Sequence, residues 1–271
     1  MYPELFSVGS VTLYTYGLLL AVSYLLGLWL AMARAKQRGL NANRVLDLGI
    51  YIIIAALVGA KLLLLIVDFD QYWNDPRQLM SLLQSAGVFY GGLILAVTVA
   101  FWYILRHGLP LWTTCDVFAP AIALGHVTGR LGCLAAGCCY GKPTDVPWAI
   151  VFTNPLAANQ GTPLGIPLHP TQLYEAGAEL LILVLLLATE RRGKPFPGRT
   201  FWAYLFLYAV SRYVIEIYRG DPRGVVPWLD ISTSQFISLV LAPLSLFMLF
   251  WLQRANPETP DGLRQRKRVA A

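Results

Sequence analysis

The first group that could do chemistry is an arginine in a glycine-rich stretch. Arg130 lies in the string His126-Val-Thr-Gly-Arg130-Leu-Gly-Cys. Small residues such as Gly129 and Gly132 let a backbone or a ligand headgroup approach closely. A guanidinium beside open backbone can bind a phosphate through two parallel hydrogen bonds. The stretch is therefore interpreted either as an anion site or as an arginine that snorkels to a membrane interface beside packing glycines.

A second polar string reads His169-Pro-Thr171-Gln172-Leu-Tyr-Glu175. His169, Gln172 and Glu175 are three residues apart, which places them on roughly one face of a helix. Thr171 can cap the N-terminus of that helix. A capped helix start whose glutamate pairs with a nearby arginine is favoured here over direct catalysis.

A third set of polar residues repeats every three or four positions. Tyr208, Arg212, Glu216 and Arg219 form one stripe along a helix, and Arg212 and Glu216 can neutralise each other. A polar stripe of this length in an apolar helix has to face protein or water rather than lipid. An interior functional face is favoured over a purely structural ion pair.

One lysine stands inside an apolar run. Lys61 follows Gly59 and Ala60 directly, and Asp68 and Asp70 come later in the same stretch. Its long stem can snorkel outward, or its ammonium group can pair with one of these carboxylates. The functional and the structural interpretations are equally open.

Three cysteines cluster after the arginine. Cys133, Cys138 and Cys139 follow Arg130, and Cys115 precedes it. Packing of small residues at a helix end is favoured first. A disulfide between Cys133 and Cys138 comes second, since it would lie at an oxidising face. A metal site that uses His126 or His169 comes third, because C-x4-C-C is not a usual zinc spacing, so the predicted site contains no metal.

Long apolar runs carry these residues. The chain is 56% apolar and 13% charged, about half the usual share of charged residues. This predicts an all-α, polytopic membrane protein with about seven transmembrane helices. Basic residues flank the runs instead of forming one patch, which argues against nucleic acid as a partner, and no removable signal peptide is expected. The seven segments lie near 12–33, 46–68, 86–105, 112–134, 172–189, 200–217 and 232–252.

The basic residues also predict orientation. Fourteen Lys and Arg fall on one side of these segments and five on the other, so the N-terminus is expected outside and the C-terminus in the cytoplasm. The connection at about 135–171 is rich in proline and glycine and is predicted to be a long irregular loop at the outer face. One transmembrane domain is predicted over 1–255, followed by a disordered basic cytoplasmic tail over 256–271.

These strings and their order along nearly the whole chain resemble those of the phosphatidylglycerol–prolipoprotein diacylglyceryl transferase family. The glycine-arginine string and the His169 string together, at this separation, are fairly specific, whereas either alone is weak. The features that carry the resemblance are Tyr16-Gly17, Gly59-Ala-Lys61, Tyr90-Gly-Gly-Leu93, Gly129-Arg-Leu-Gly132, His169-Pro-Thr-Gln-Leu-Tyr-Glu175 and Tyr208 through Arg219.

The resemblance implies a membrane enzyme of lipoprotein biosynthesis. Such an enzyme moves the diacylglyceryl group of phosphatidylglycerol to the lipobox cysteine thiol of a prolipoprotein, forms a thioether and releases glycerol phosphate. It needs no cofactor, and its partners are phosphatidylglycerol, prolipoprotein lipobox segments and membrane lipids. It is expected in the bacterial cytoplasmic (inner) membrane, with its active face toward the periplasm or the cell exterior.

The resemblance also implies roles for residues. Arg130 is predicted to hold the lipid headgroup with Gly129 and Gly132. Arg212 and Tyr208 are predicted to be catalytic by stabilising charge on the leaving phosphate or on the thiolate, with Glu216 orienting Arg212. The residues predicted to surround and support them are His169, Gln172, Glu175, Tyr90, Lys61 and Arg219.

The chain departs from the family pattern in two places. Tyr90 stands where many members carry a histidine, and the segment from Cys133 to Cys138 replaces one that usually holds two asparagines and a glutamate. Tyrosine titrates near pH 10 and is a poor base at neutral pH, so Tyr90 is interpreted as a hydrogen-bond donor and the thiol base is unassigned.

Other functions stay open beside this one. A related transferase with a different lipid or thiol acceptor would explain the departures. A non-enzymatic lipid-binding or transport protein would also place charges inside a membrane. A thiol oxidoreductase is least favoured, because the sequence contains no C-x-x-C pair.

Overall fold

The structure, a computed structural model, describes residues 3–8, 11–69, 72, 87–192 and 196–256. Asp70 and the predicted tail, apart from Asn256, lie outside these ranges. The described chain is mostly helical, with three short two-stranded antiparallel sheets. In chain order the elements are β1 (Glu4–Val8), β2 (Val11–Tyr14), α1 (Thr15–Gln37), α2 (Ala42–Val67), α3 (Phe89–Arg106), α4 (Leu111–Ala136), β3 (Ile150–Val151), α5 (Pro155–Ala158), β4 (Pro167–Leu168), α6 (Thr171–Arg192), α7 (Arg199–Glu216), β5 (Val225–Val226), β6 (Ile231–Ser232) and α8 (Thr233–Ala255).

Among the described residues, six helices are long and apolar enough to cross a membrane: α1, α2, α3, α4, α8 and the part of α6 from Thr171 to Glu190. The predicted all-α, polytopic membrane class is therefore confirmed. The remaining long helix, α7, was the sixth predicted segment, and its eighteen residues include Arg199, Arg212 and Glu216. Its charge content, rather than its length, separates it from the other six. The orientation of the termini stays a prediction.

The first predicted helix begins later than the sequence suggested, because a β-hairpin precedes it. Residues Glu4–Val8 pair antiparallel with Val11–Tyr14, and α1 starts only at Thr15. The second strand reads Val-Thr-Leu-Tyr, a composition of β-branched and aromatic residues that suits a strand as well as a membrane helix. Hydropathy alone could not separate the two. The predicted irregular loop at about 135–171 contains only the short elements β3, α5 and β4.

The chain divides into two compact units, residues 31–114 and residues 1–30 with 115–271. In the unit of residues 31–114, α2 and α3 pack through glycines. A Cβ added at Gly91 would meet the carbonyl oxygen of Gly59, and one added at Gly92 would lie 2.7 Å from the carbonyl oxygen of Ala56. Gly91 and Gly92 therefore allow α3 to pack closely against α2. The predicted single domain over 1–255 stays a prediction.

In the other unit, helices α4, α6 and α7 share a buried core. A carboxylate on α4 fixes where α7 begins: Asp116 is fully buried and accepts hydrogen bonds from the backbone N–H groups of Gly198 (2.8 Å) and Phe201 (2.9 Å). It thus satisfies donors that the first turn of a helix leaves unpaired. The core residues are Ala119, Ala123, Ile182, Leu183, Leu186 and Tyr204.

Candidate functional site

Glu175 lies at the centre of a buried ion-pair network. Its carboxylate pairs with the guanidinium groups of Arg130 and Arg212, and with that of Arg219 at 3.2 Å. These arginines come from α4, from α7 and from the segment just after α7. One carboxylate cannot neutralise three guanidinium groups, so the site needs further anions.

Two more carboxylates supply part of that charge. Glu216 forms an ion pair with Arg212 at 2.6 Å, one turn away on α7. Asp221 accepts two hydrogen bonds of 2.8 Å from Arg219 and two, of 3.0 Å and 3.4 Å, from Arg223. Within this network four arginines face three carboxylates, so it carries one net positive charge.

The groups beyond the end of α7 are held in their charged forms. Burial acts to raise the pKa of Asp221, but hydrogen bonds and charge from Arg219 and Arg223 outweigh it and keep this pKa below its ordinary value. Burial acts to lower the pKa of Arg219, yet the bond to Asp221 and the charge of Glu175 raise it overall. Both groups are therefore ionised at neutral pH.

The network borders a pocket between α4, α6 and α7. Arg130, Glu175 and Arg212 line it, so cationic groups reach its wall. Tyr208 adds a phenol to the same wall. The other lining residues are His126, Ala178, Glu179, Ser211 and Ile215. The mixture of arginine, phenol and apolar groups suits a ligand that has both a charged and an apolar part.

A histidine–carboxylate pair shares the pocket wall. Nδ1 of His126 lies 2.7 Å from Oε1 of Glu179, and the hydroxyl of Tyr204 lies 3.3 Å from the same nitrogen. The Glu179 side chain is 5% exposed, whereas that of His126 is 41% exposed. A carboxylate on one ring nitrogen favours the tautomer in which the other nitrogen can accept a proton.

Most predicted polar residues come together here. Arg130, Arg212, Glu175 and Tyr208 line the pocket, and Arg219 joins the network through Glu175. The predicted pairing of Glu216 with Arg212 is present in the structure. What each residue does in a reaction stays a prediction.

The two glycines beside Arg130 face another helix. A Cβ on Gly132 would lie 3.3 Å from the ring of Tyr16 and 3.5 Å from Cβ of Leu19. A Cβ on Gly129 would lie 3.9 Å from the hydroxyl of Ser23. Both glycines therefore let α1 approach α4, and their predicted contact with a headgroup has no independent support.

The His169 string fixes the loop that follows α4. Thr171 is the first residue of α6, and its hydroxyl, which was predicted to cap the helix, donates instead to the carbonyl of Cys139 at 2.8 Å. Gln172 is fully buried and donates to the carbonyl of Cys138 at 2.7 Å. His169 lies outside the pocket lining, with its ring centre 5.1 Å from that of Tyr218.

The last two predicted residues belong to the unit of residues 31–114. Lys61 lies on α2, and Tyr90 lies on α3 with its ring centre 5.7 Å from that of Phe89. Their supporting role stays a prediction.

Two titratable residues of the pocket, His126 and Glu179, were absent from the predicted site. His126 precedes Arg130 by four residues, and Glu179 follows Glu175 by four. Each is therefore one helical turn from a residue that was predicted. The spacing was a usable signal, but only packing could show that His126 and Glu179 contact each other.

The chain is similar to one family of proteins along nearly its whole length. The profile of the family described as prolipoprotein diacylglyceryl transferase matches residues 3–251. A Clostridium tetani protein named phosphatidylglycerol–prolipoprotein diacylglyceryl transferase is 37% identical over 92% of this chain and 96% of its own length. A Vibrio cholerae protein of the same name is 32% identical over 92% of this chain and 90% of its own. A Clostridium perfringens protein with that name and the number 2 is 31% identical over 86% and 88%.

Proposed function

The chain belongs to the prolipoprotein diacylglyceryl transferase family, and we propose that it transfers the diacylglyceryl group of phosphatidylglycerol to a prolipoprotein cysteine at the pocket beside Glu175. The observation that carries this assignment is the buried network in which Glu175 pairs with three arginines. The net positive charge of this network, with Ala178 and Ile215 beside it in the pocket lining, suits a phosphate that carries acyl chains.

The reaction increases negative charge on the lipid phosphate. The acceptor sulfur attacks the glycerol carbon that bears the phosphate, a C–S bond forms, and the C–O bond breaks. Glycerol phosphate leaves with the electron pair, so a phosphodiester with one negative charge becomes a monoester with a second. Fixed cations that meet this new charge in a water-poor pocket stabilise the transition state more than the bound lipid.

Arg130 and Arg212 are the arginines that we assign to the phosphate. Both line the pocket, whereas Arg219 lies outside the lining and pairs with Asp221 and Glu175. Glu175 holds the three side chains in one place before substrate binds. Such preorganisation removes a reorganisation cost at the moment of reaction. Tyr208 lies on the same wall and can donate a hydrogen bond to a phosphate oxygen.

His126 is the group that we assign to the acceptor thiol. It lines the same pocket as the arginines, and Glu179 at 2.7 Å orients its ring. The imidazole takes the proton as sulfur attacks, and the carboxylate stabilises the imidazolium that results. This assignment places the base on α4 and leaves Tyr90 as a hydrogen-bond donor.

The membrane setting agrees with these substrates. The chain is a multi-pass membrane protein of a bacterial family. We place it in the cytoplasmic membrane with the pocket toward the outer face, as the distribution of basic residues predicts. There the lipid reaches the pocket from the bilayer, and the prolipoprotein presents its cysteine after export.

The test is a transfer assay with the purified full chain in vesicles. A lipobox peptide should gain one diacylglyceryl group when the vesicles contain phosphatidylglycerol, and glycerol phosphate should appear in equal amount. Arg130→Ala should lower the rate by about 100-fold or more, as loss of one charge-stabilising donor does in other enzymes. Arg254→Ala, which removes an exposed arginine from the end of α8, is the matched control and should keep the rate.

Two results would contradict the proposal. Transfer that proceeds only with another lipid or another thiol would favour a related transferase with different substrates. Movement of lipid across the bilayer without a thioether product would favour a lipid transporter.

A further inference from the structure

Three cysteines converge at the end of α4, outside the pocket lining. The Sγ atoms of Cys133, Cys138 and Cys139 all lie within 4.8 Å of one another. All three are free thiols and are partly exposed. Sulfur donors at this spacing are the ligands that soft metal ions prefer. The proposed transfer reaction uses none of them.

We propose that Cys133, Cys138 and Cys139 together bind one thiophilic d10 metal ion, Zn²⁺ or Cu(I). Zinc–thiolate bonds of about 2.3 Å in a tetrahedral site hold the sulfurs about 3.8 Å apart. The three sulfurs therefore need to move by only about 1 Å to close on an ion. A water molecule would complete a four-coordinate zinc site.

The backbone already brings the three side chains together. After α4 ends, Gly137 has a φ of 76° and Cys139 a φ of 62°, so the chain turns back on the helix end. The N–H of Cys138 donates to the carbonyl of Cys133 at 3.1 Å. The buried side chains of Thr171 and Gln172 hold the carbonyls of Cys139 and Cys138 from α6. This local turn explains how a spacing unlike the usual zinc motifs can still form a site.

The surroundings suit an anionic metal–thiolate complex. A zinc ion with three thiolates carries one net negative charge, and Cu(I) with three thiolates carries two. The guanidinium groups of Arg219 and Arg130 lie close enough to Cys139 to act on it electrostatically. Cations at this range offset the charge of the complex.

A metal uses all three thiols, whereas a disulfide does not. Neighbouring Cα atoms are about 3.8 Å apart, which is shorter than the usual separation across a disulfide, so Cys138 and Cys139 are poor partners for each other. A bridge between Cys133 and Cys138 would leave Cys139 unused. Convergence of all three sulfurs therefore favours metal binding.

A bound ion would fasten the end of α4 to the loop that follows. That loop contacts the segment after α7: Lys142 N–H donates to the carbonyl of Tyr218 at 2.8 Å, and Gly220 N–H donates to that of Tyr140 at 3.1 Å. Arg219 lies between these two contacts in the sequence. The metal would therefore stabilise the segment that carries Arg219 without taking part in transfer.

The experiment is a metal titration of the full-length protein in detergent, reduced and then freed of reductant without oxygen. Co²⁺, a spectroscopic substitute for zinc, should give a thiolate charge-transfer band that saturates at about one ion per chain. Separate titrations with Zn²⁺ and with Cu(I) identify the preferred ion by elemental analysis. Cys139→Ser should weaken binding by at least about tenfold, since even changes outside the ligand shell can cost that much. Cys115→Ser is the matched control and should bind like the unchanged protein.

Three outcomes would overturn the proposal. The first is a metal content near zero with no charge-transfer band. The second is a mass of the purified protein, measured before reduction, that is two hydrogens lower than that of the free-thiol form, which would indicate a disulfide. The third is a Cys139→Ser variant that binds as tightly as the control. Elution volume and helical circular dichroism check that the variant folds, and if it does not, the titration of the unchanged protein decides alone.

Discussion

Two helix contacts in this molecule differ in the groups that form them. Helices α2 and α3 meet through glycine and alanine, so that backbone atoms of Gly59 and Gly91 lie in close contact. Helices α4, α6 and α7 carry Arg130, Glu175, Arg212 and Glu216, which pair with one another in the buried network. The first contact depends on the absence of side chains, and the second depends on charge.

The difference shows what each contact can tolerate. A close contact between glycines loses stability when a side chain is added to it, but it contains no group to which the proposed reaction is assigned. A buried ion network contributes little net stability, yet removing one member strands the others without a partner. Substitutions in the network should therefore affect both folding and reaction, whereas those in the glycine contact should affect folding alone.

The largest effect is expected from Glu175→Gln. Three guanidinium groups would lose their shared carboxylate, so the free energy of unfolding should fall by about 3–5 kcal/mol and transfer by about 100-fold or more. Thermal unfolding in detergent and the peptide assay measure the two effects. Glu4→Gln removes the same charge from an exposed position and should change neither. A stable, active Glu175→Gln protein would refute the central position of this carboxylate.

The next largest effect is expected from His126→Gln, which should separate chemistry from folding. Loss of a general base should lower the transfer rate by about 10²- to 10⁴-fold while the melting temperature changes little. Glu179, Tyr204 and Tyr208 also face this ring and are present in both proteins. If the folded variant keeps the full transfer rate, His126 is not the base.

A smaller effect, on stability alone, is expected from Gly91→Ala. The added methyl group would meet the carbonyl oxygen of Gly59, and overpacking of this kind costs about 1–3 kcal/mol. The transfer rate per folded molecule should stay unchanged. Gly177→Ala on α6 adds the same methyl group where nothing lies within 4 Å, so it should not destabilise the protein. Equal melting temperatures for the two variants would contradict the tight α2–α3 contact.

The smallest effect is expected from the pH dependence that Asp221 contributes. Its pKa is lower in the folded protein than in the unfolded chain, so its contribution is present above the unfolded value of about 4 and is lost as pH falls through the lower folded value. Asp221→Asn should remove this acid-dependent part of stability. The comparison needs unfolding curves of both proteins at about pH 6 and at several pH values below about 4. Identical acid dependence would show that Asp221 contributes nothing.

The sequence predicts the architecture well because membrane helices are defined by length and hydropathy. It fails at Val11–Tyr14, where four residues suit either a strand or the start of a helix. It also overstates the similarity of α7 to the other helices, because Arg199, Arg212 and Glu216 make α7 more polar than a lipid-facing span. The polar stripe of Tyr208, Arg212 and Glu216 accounts for this charge and for the packing of α7 against α4 and α6.

Only part of the candidate site could be predicted from the sequence. Spacing along one helix places Arg212 with Glu216, a local relation that helical periodicity fixes. Contacts between helices, such as Glu175 with Arg130 or His126 with Glu179, depend on how α4, α6 and α7 pack. That packing depends in turn on features such as the Asp116 cap, whose partners Gly198 and Phe201 lie far away in the chain.

The central claim is that the arginines around Glu175 bind and stabilise the lipid phosphate. Its most direct test is the rate of thioether formation by Arg212→Ala at saturating phosphatidylglycerol, beside Arg254→Ala. We predict that the first variant is slowed by about 100-fold or more and that the second keeps the full rate. A folded Arg212→Ala protein that forms the thioether as fast as Arg254→Ala would contradict the claim.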